Sequence, residues 1–332
     1  MSVRAAVIGC GRIGGGYNGA MTQTASHASG YIRDPRVELV AACDPDEQAR
    51  ARFAQQWGVA RMFGDYEALF TGTAVDIVSV CTWDEQHAGA VRAAVAAGIK
   101  AIVCEKPLAP TAAEASDLVQ LCRDSGVQLA VGYQRRWEPA HCAVRDFIAE
   151  GGLGEVLAVN GYYVGGLRHN GCAWINLARF LVSEINTATV VSGANRKSED
   201  VAVALQFGNG ASGSLQAANR EAYSIFEIDI LGTRGRARFS DAGERLEVWQ
   251  VEEDPRYPGF KRLTPSLRKW PEPCVGDALN KGLAGIVDLL LGSGENVSSG
   301  ADAARDMEIV EAALARGRTG ETEEMAGGVY GR

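Results

Sequence analysis

Three glycines occur at a spacing that is used to bind dinucleotides. Residues 9–14 read Gly-Cys-Gly-Arg-Ile-Gly and follow directly on an apolar run, Val3–Ile8, that is typical of a β-strand. In this pattern the first glycine permits a tight turn, the second lets the backbone approach a pyrophosphate, and the third allows close helix packing. The start of the next helix offers free N–H groups to phosphates. The position after a strand favours nucleotide binding over a turn without a ligand, and the candidate cofactor residues here are Gly9, Gly11, Arg12, Ile13 and Gly14.

A carboxylate follows the second predicted strand, Val37–Cys43. Asp44 can bind both ribose hydroxyls of an adenosine and repel a 2′-phosphate, which favours NAD(H) over NADP(H). It stands 30 residues after Gly14, against about 20 in the usual pattern, and an extended loop over Gly15–Ser26 would account for the excess. The same carboxylate is placed to cap a helix starting at Pro45, and both roles can coexist.

Short apolar runs alternate with helical patterns over the first third of the chain. Besides the first strand, the candidates are Val37–Cys43, Val75–Cys81, Ile99–Cys104 and Val127–Val131. Strands that are apolar throughout and separated by helices are buried on both faces, which indicates a parallel, doubly wound sheet. We therefore predict an α/β Rossmann domain, binding NAD(P), over residues 1–135.

Beyond residue 135 most strands follow one another without helices between them. The strand candidates are Val156–Val164, Val201–Phe207, Ala211–Ala217, Phe226–Leu231 and Leu246–Val251. Glycine-rich turns at 208–210 and 232–235 predict antiparallel pairing. Helices are predicted over Pro139–Glu150, Ala173–Leu181, 277–291 and 301–316, and residues 253–275 are interpreted as a surface excursion. Residues 136–332 thus form a predicted α+β domain with a large, mostly antiparallel open sheet, whose terminal helices either stay with it or pack back on the first domain.

The composition limits the classes of partner. Hydrophobic residues make up 46% and charged residues 22%, as in ordinary globular proteins. A net charge of −8 disfavours a nucleic-acid partner, and no apolar run approaches the roughly 18 residues of a membrane helix. Eight cysteines without a Cys-x-x-Cys pair, together with four scattered histidines, indicate reduced thiols in a cytoplasmic protein and argue against a metal site.

Three further segments follow predicted strands at their carboxyl ends, where doubly wound sheets bind ligands. They read Thr-Trp-Asp-Glu-Gln-His at 82–87, Glu-Lys-Pro at 105–107 and Gly-Tyr-Gln-Arg-Arg-Trp at 132–137. Together with the glycine loop they resemble the glucose–fructose oxidoreductase, inositol dehydrogenase and MocA (Gfo/Idh/MocA) family over essentially the whole chain. The resemblance implies NAD(P)-linked oxidation or reduction of a secondary alcohol or ketone on a sugar, cyclitol or nucleotide-sugar. It also implies self-association, as a dimer or tetramer, through the sheet of the second domain.

The resemblance places Lys106 beside the nicotinamide and the reacting oxygen. Hydride moves at a carbinol carbon while a proton moves at its oxygen, and a lysine buried beside a cationic nicotinamide is suited to exchange that proton. The alternative is a solvent-facing lysine that pairs with Glu105. The other expected cofactor contacts are Thr82, His87, Glu105 and Gln134, although a lone histidine such as His87 is more commonly a surface or capping residue.

The segment 167–180 departs from the family pattern. The family typically shows Gly-Ser/Thr-His-x-x-Asp here, and the register puts the histidine at Ala173 and the aspartate at Asn176. Residues three apart share a helix face, so both positions are expected to point into the substrate pocket. Ala173 cannot move a proton, whereas Asn176 can still donate to and accept from a substrate. Cys172, where the family has a hydroxyl, is either a thiol with a lowered pKa at a helix start or, as we favour, a small packing residue.

These losses leave several hypotheses open. His169 is a candidate to assist Lys106, which makes these two the predicted catalytic residues. Arg168 either attracts a carboxylate or phosphate or is solvated. The predicted substrate contacts are Lys106, Arg135, Arg168, His169, Ala173 and Asn176. We favour a redox enzyme, because losing one acid/base group typically costs a factor of about 10²–10⁴. A nucleotide-binding descendant with redox-neutral or no chemistry, and substitutions engineered into an active enzyme, are the alternatives.

Overall fold

The computed structural model describes residues 2–16, 26–195 and 199–319. Its first sheet is entirely parallel, in the order β3-β2-β1-β4-β5-β6. The strands are β1 Val3–Ile8, β2 Val37–Cys43, β3 Arg61–Phe63, β4 Ile77–Val80, β5 Ala101–Cys104 and β6 Gln128–Val131. This is the doubly wound order predicted from the sequence, and ligands bind such sheets outside the carboxyl ends, where the order reverses between β1 and β4.

In the described part of the chain, six α-helices occupy the segments between the strands of this sheet. They are α1 Arg12–Gly15, α2 His27–Arg33, α3 Glu47–Trp57, α4 Tyr66–Gly72, α5 His87–Ala96 and α6 Ala112–Asp124. The predicted helix start at Pro45 is wrong, because Asp46, whose side chain accepts from the N–H groups of Gln48 and Ala49, caps α3. Residues 17–25, most of the predicted extended loop, lie outside the described residues.

The second sheet has eight strands in the order β14-β13-β12-β11-β7-β10-β9-β8, and only β7 and β10 run parallel. The strands are β7 Val156–Tyr163, β8 Ile185–Asn195, β9 Asp200–Phe207, β10 Ser212–Ala217, β11 Glu227–Gly232, β12 Gly235–Ser240, β13 Arg245–Glu253 and β14 Lys261–Pro265. The predicted mostly antiparallel sheet is confirmed, and both glycine turns join antiparallel pairs.

Three strands of this sheet were not predicted. β8 is rich in small and polar residues and β12 carries two arginines, so neither has the long apolar run that marks a buried strand. β14 lies at the sheet edge inside the predicted surface excursion, where it pairs with β13. Edge strands tolerate polar side chains and a proline, which is why β14 reads as a loop in the sequence.

Four helices complete the chain: α7 Pro139–Ala149, α8 Cys172–Leu181, α9 Val275–Leu290 and α10 Gly300–Thr319. α9 packs against α2, and its apolar face shares a core with the first sheet. α10 contacts α6, α8 and β8, so it bridges the two sheets. Of the two expected arrangements, packing of a terminal helix onto the first sheet is therefore the one observed.

The outward face of the second sheet is polar. Ile228 and Ile230 of β11 point the other way and are buried within this chain. The outward side chains of β11 and β12 form ion pairs instead, Arg236 with Asp229 at 2.5 Å and Arg238 with Glu227 at 2.7 Å. Among the described residues, no helix is long and apolar enough to cross a membrane.

Candidate active site

The glycine loop has two glycines fixed by packing and one facing open space. A Cβ atom on Gly9 would lie 2.5 Å from the carbonyl oxygen of Cys81, and Gly9 has a φ of +94°. A Cβ on Gly14 would lie 2.0 Å from the carbonyl oxygen of Gly9. A Cβ on Gly11 would meet nothing within 4 Å among the described residues. The absent side chain at Gly11 leaves room for a large group to approach the backbone, as a pyrophosphate does.

Asp44 lies beside this loop. One carboxylate oxygen accepts from the Cys10 N–H at 2.8 Å, and the other accepts from the Asp46 N–H at 2.8 Å. These two bonds hold the carboxylate at the carboxyl end of β2, next to the loop. Burial, aided by the charge of Asp44, raises the pKa of the neighbouring Cys10 thiol to about 12. The geometry fits a ribose-binding carboxylate at the edge of a dinucleotide site.

The turn after β4 contributes a buried hydroxyl and a buried imidazole. The Thr82 hydroxyl oxygen is buried and has no hydrogen-bond partner among the described residues. His87 is fully buried, and its ring nitrogens lie 2.7 Å from the Pro107 carbonyl oxygen and 3.2 Å from that of Thr82. The interpretation of His87 as a surface residue is therefore wrong. Because both nitrogens are engaged by the backbone, His87 supports two site turns rather than contacting a cofactor.

Glu105 pairs with a histidine and not with its neighbour Lys106. Its Oε1 lies 3.0 Å from Nε2 of His27, and the other nitrogen of His27 lies 2.7 Å from the hydroxyl of Ser79. Burial opposes ionisation of Glu105, but the hydrogen bond and charge of His27 outweigh it and lower the pKa of the carboxyl. The alternative in which Lys106 pairs with Glu105 is not observed, because the Glu105 carboxylate is bound by His27.

Lys106 reaches across to the second half of the chain. Its ammonium lies 3.0 Å from the His169 carbonyl oxygen, 3.0 Å from Oδ1 of Asn170 and 3.4 Å from Nε2 of His169. These acceptors belong to a single π-helical turn, Leu167–Gly171, which precedes α8. The π-helical turn thus sets the position of the amine, and such turns are frequent at functional sites.

His169 joins Lys106 to a carboxylate. Nδ1 of His169 lies 2.8 Å from Oδ2 of Asp84, which follows β4. Burial opposes ionisation of Asp84, but the hydrogen bond and charge of His169 outweigh it and lower the pKa of the carboxyl. With Nδ1 donating to an ionised carboxylate, Nε2 presents its lone pair toward Lys106. Asp84, His169 and Lys106 therefore form a connected chain, which we call the Asp–His–Lys chain.

A cleft of about 210 Å³ lies next to this chain. Its lining brings together residues of both halves: Glu105, Lys106, Gly132, Tyr133, Gln134, Arg135, Ala173, Asn176 and Leu177. Six predicted positions thus meet at one place: Glu105, Lys106, Gln134, Arg135, Ala173 and Asn176. Because Ala173 has only a methyl group, the wall of the cleft opposite Lys106 is apolar at that point.

Two predicted substrate contacts are engaged elsewhere. Asn176 is 1% exposed, accepts from Arg136 at 2.8 Å and donates to Asp306 at 2.6 Å. Arg168 pairs with Glu199 at 3.0 Å and Glu311 at 3.2 Å, so its charge is neutralised. Arg168 is therefore a structural ion-pair residue, whereas Asn176 lines the cleft with its amide held by Arg136 and Asp306.

Cys172 is a packing residue, as favoured from the sequence. It is fully buried, and burial raises the pKa of its thiol to about 12. All eight cysteines lie in the described part of the chain, and all are free.

Sequence reasoning missed three contributors to the site. Asp84 lies inside one of the recognised segments, but its contact with His169 joins residues 85 positions apart. Asn170 and His27 likewise act through long-range contacts. The only sequence signal was a polar residue beside a recognised motif, and polar residues in such turns are common.

The fold and site define a class: a nicotinamide-dependent oxidoreductase with a Rossmann sheet and an amine-containing cleft at its carboxyl edge. Residues 3–133 match the family described as "Oxidoreductase family, NAD-binding Rossmann fold". D-apiose dehydrogenase of Rhizobium rhizogenes is 28% identical over 316 residues, which cover 86% of this chain and 90% of that protein. Levoglucosan dehydrogenase of Pseudarthrobacter phenanthrenivorans is 26% identical over 342 residues, which cover 80% and 84%.

A solved structure gives the same overall fold. Levoglucosan dehydrogenase in complex with NADH superposes with a TM-score of 0.78 at 20% identity, covering 96% of this chain and 97% of that one. Residues 3–133 thus match an NAD-binding oxidoreductase family, and over most of its length the chain is similar to named dehydrogenases. It is an NAD(P)-dependent oxidoreductase.

Proposed function

We propose that this protein is an NAD(H)-dependent dehydrogenase that transfers hydride to or from a secondary alcohol or ketone of a sugar or related polyol. The proposal rests on the Asp–His–Lys chain at the cleft, in which the Lys106 amine lies 3.4 Å from Nε2 of His169. The sequence relatives reported above are named as dehydrogenases of D-apiose and levoglucosan, both of them sugars or sugar derivatives. A redox-neutral or non-catalytic role is not favoured, because the predicted acid/base lysine is held in place.

Lys106 supplies the proton in this proposal. When bound, the nicotinamide exchanges hydride with the substrate carbon. In reduction, the Lys106 ammonium donates a proton to the carbonyl oxygen, consistent with its donor contacts to His169 and Asn170. In oxidation, the neutral amine accepts the hydroxyl proton and can pass it to Nε2 of His169. The carboxylate of Asp84 then stabilises the resulting imidazolium.

The cofactor site is proposed from the loop and Asp44. Gly9, Gly11 and Gly14, with the backbone of Arg12 and Ile13, would hold the pyrophosphate, and Asp44 would bind the adenosine ribose. Thr82 and Gln134 would contact the nicotinamide half, where the unpartnered hydroxyl of Thr82 lies. A fluorescence titration with NADH and NADPH tests this assignment. We expect tighter NADH binding, and equal affinity for both would contradict the role of Asp44.

The activity is tested by a substrate screen. Purified protein is incubated with NAD⁺ and a panel of neutral sugars, sugar acids, sugar phosphates and cyclitols, and absorbance at 340 nm is followed. The proposal expects reduction of NAD⁺ with at least one of them, and loss of that activity in Lys106→Met. Tight NADH binding without turnover of any panel member, in either direction, would favour the non-redox alternative.

We also propose that the protein is cytoplasmic, where its eight unpaired cysteines would stay reduced. We further propose that it self-associates through the outward face of the second sheet. No described helix covers that face, and its polar, ion-paired strands present a broad surface. Light scattering after size-exclusion chromatography tests this, with a dimer or tetramer expected. A monomer at micromolar concentration would contradict it.

A further inference from the structure

Arg135 holds an unusual position among the cleft residues. Its guanidinium stacks on the ring of Phe226 at 3.8 Å and donates through Nη2 to the carbonyl oxygen of Ala242. Its Nε is buried and has no hydrogen-bond partner among the described residues. Burial lowers the pKa of Arg135 to about 10, still above neutral pH, so the group keeps its charge.

No carboxylate in the described part of the chain makes contact with this guanidinium. Glu244 is the acidic residue that interacts with its charge, but the Glu244 carboxylate is bound at 3.1 Å by the N–H groups of Val275 and Gly276, at the start of α9. The opposing charge is therefore held by another element. Arg135 is half-buried, and a cation partly removed from water without a contacting anion is costly, which makes its retention at a cleft informative.

Three other arginines of the second half of the chain or of the turn after β6 each contact a carboxylate. Arg136 pairs with Asp302 at 3.1 Å, Arg168 with Glu199 at 3.0 Å, and Arg179 with Asp306 at 2.5 Å. The fold thus supplies an anion to each of these three cations. Arg135, which lines the cleft with Lys106, is the exception.

We propose that the anion missing at Arg135 is supplied by the substrate, so that the protein acts on a sugar or polyol carrying a carboxylate or phosphate. This inference rests on the proposed function and narrows its substrate class. Arginine suits the task because its planar fork binds carboxylate and phosphate oxygens through charge-assisted hydrogen bonds. Lys106 would act at the reacting carbon, and Arg135 would hold the charged end of the same molecule.

Binding of three matched probes tests the proposal without requiring turnover. Full-length protein saturated with NADH is titrated by calorimetry with D-glucose, D-glucuronate and D-glucose 6-phosphate at constant ionic strength. At least one anionic probe is expected to bind roughly 10- to 100-fold more tightly than glucose, the range of one charged hydrogen bond. The acid and the phosphate distinguish the two kinds of anion. Because binding is measured, a failed substrate screen does not decide the result.

Variants at two arginines locate the effect. In Arg135→Met the ratio of anionic to neutral affinity is expected to fall by a similar factor, whereas in Arg168→Met, whose charge is already neutralised, the ratio should not change. Arg135→Lys should restore it only in part, since an ammonium lacks the fork. Equal affinity for the three probes, no binding of either anion at 10 mM (about the weakest affinity that calorimetry resolves), or a ratio unaffected by Arg135→Met would overturn the proposal.

Discussion

At the scale of single residues, the reactive amine is defined by what surrounds it. Lys106 donates to two oxygens of one π-helical turn and faces the His169 ring, whose far nitrogen bonds Asp84. The lysine was predictable from its motif after a strand, and His169 from its place near the missing histidine. Their contact was not, because it depends on how a turn in the second half of the chain packs against the first sheet.

Replacing the imidazole should slow the proton step. In His169→Gln, which keeps a hydrogen-bonding side chain, we expect kcat to fall by about 10²–10⁴. The affinity for NADH, measured by fluorescence, should change little, because His169 faces Lys106 rather than the glycine loop. A kcat within twofold of the native value would exclude His169 from proton transfer.

The low pKa of Asp84 predicts a pH-dependent contribution to stability. A carboxyl whose pKa is lower in the folded than in the unfolded state stabilises the fold above its unfolded pKa of about 3.9. This contribution is lost as the pH falls through the folded value. The difference in unfolding free energy between native protein and Asp84→Asn, from urea titrations, should therefore shrink between pH 7 and pH 3. A difference that is constant with pH would contradict the assigned ion pair.

At the scale of elements, α8 and α10 are joined by a buried polar network. The Asn176 amide donates to Asp306 and accepts from Arg136. Asp306 also accepts from Arg179. The sequence puts Asn176 at the position where the family has an aspartate facing the substrate pocket. In the structure Asn176 does line the cleft. The partners of its amide could not be predicted, because Asp306 is 130 positions away and Arg136 is 40 positions away.

Restoring the family aspartate should therefore cost stability. In Asn176→Asp a carboxylate replaces the amide donor facing Asp306 at 2.6 Å, leaving two buried acids in contact. We expect the unfolding free energy to fall by about 1–3 kcal/mol. The exchange Asn176→Asp with Asp306→Asn should recover most of it, since one amide again faces one carboxylate. Thermal denaturation of the three variants measures this, and an Asn176→Asp protein as stable as the native one would refute the network.

At the scale of the whole molecule, a helix from the last quarter of the chain, α9, packs on the first sheet. α9 follows the second sheet in sequence, yet its leucines pack into the core formed by β1, β2 and α2. The parallel, doubly wound arrangement of the first sheet followed from the apolar runs of the five predicted strands. The path of α9 did not, because an amphipathic helix is equally suited to either sheet and the choice depends on tertiary packing.

This packing predicts that a change in α9 destabilises the molecule. Leu283 is 1% exposed and fits tightly against Gly30 of α2, where a Cβ would lie 2.5 Å from Cδ1 of the leucine. Leu283→Ala should lower the unfolding free energy by about 2–5 kcal/mol. Leu291→Ala, just beyond the same helix and 54% exposed, is the matched control and should have little effect. Equal losses in both variants would mean that α9 does not stabilise the first sheet.

The most direct test of the central claim is single-turnover hydride transfer by native protein and Lys106→Met, using a substrate that the screen identifies. We expect the NADH dissociation constant of Lys106→Met to stay within about threefold of the native value, because Lys106 contributes no charge to the glycine loop. The hydride-transfer rate should fall by about 10²–10⁴ or more. A Lys106→Met protein that transfers hydride at the native rate would contradict the assignment of Lys106 as the acid/base.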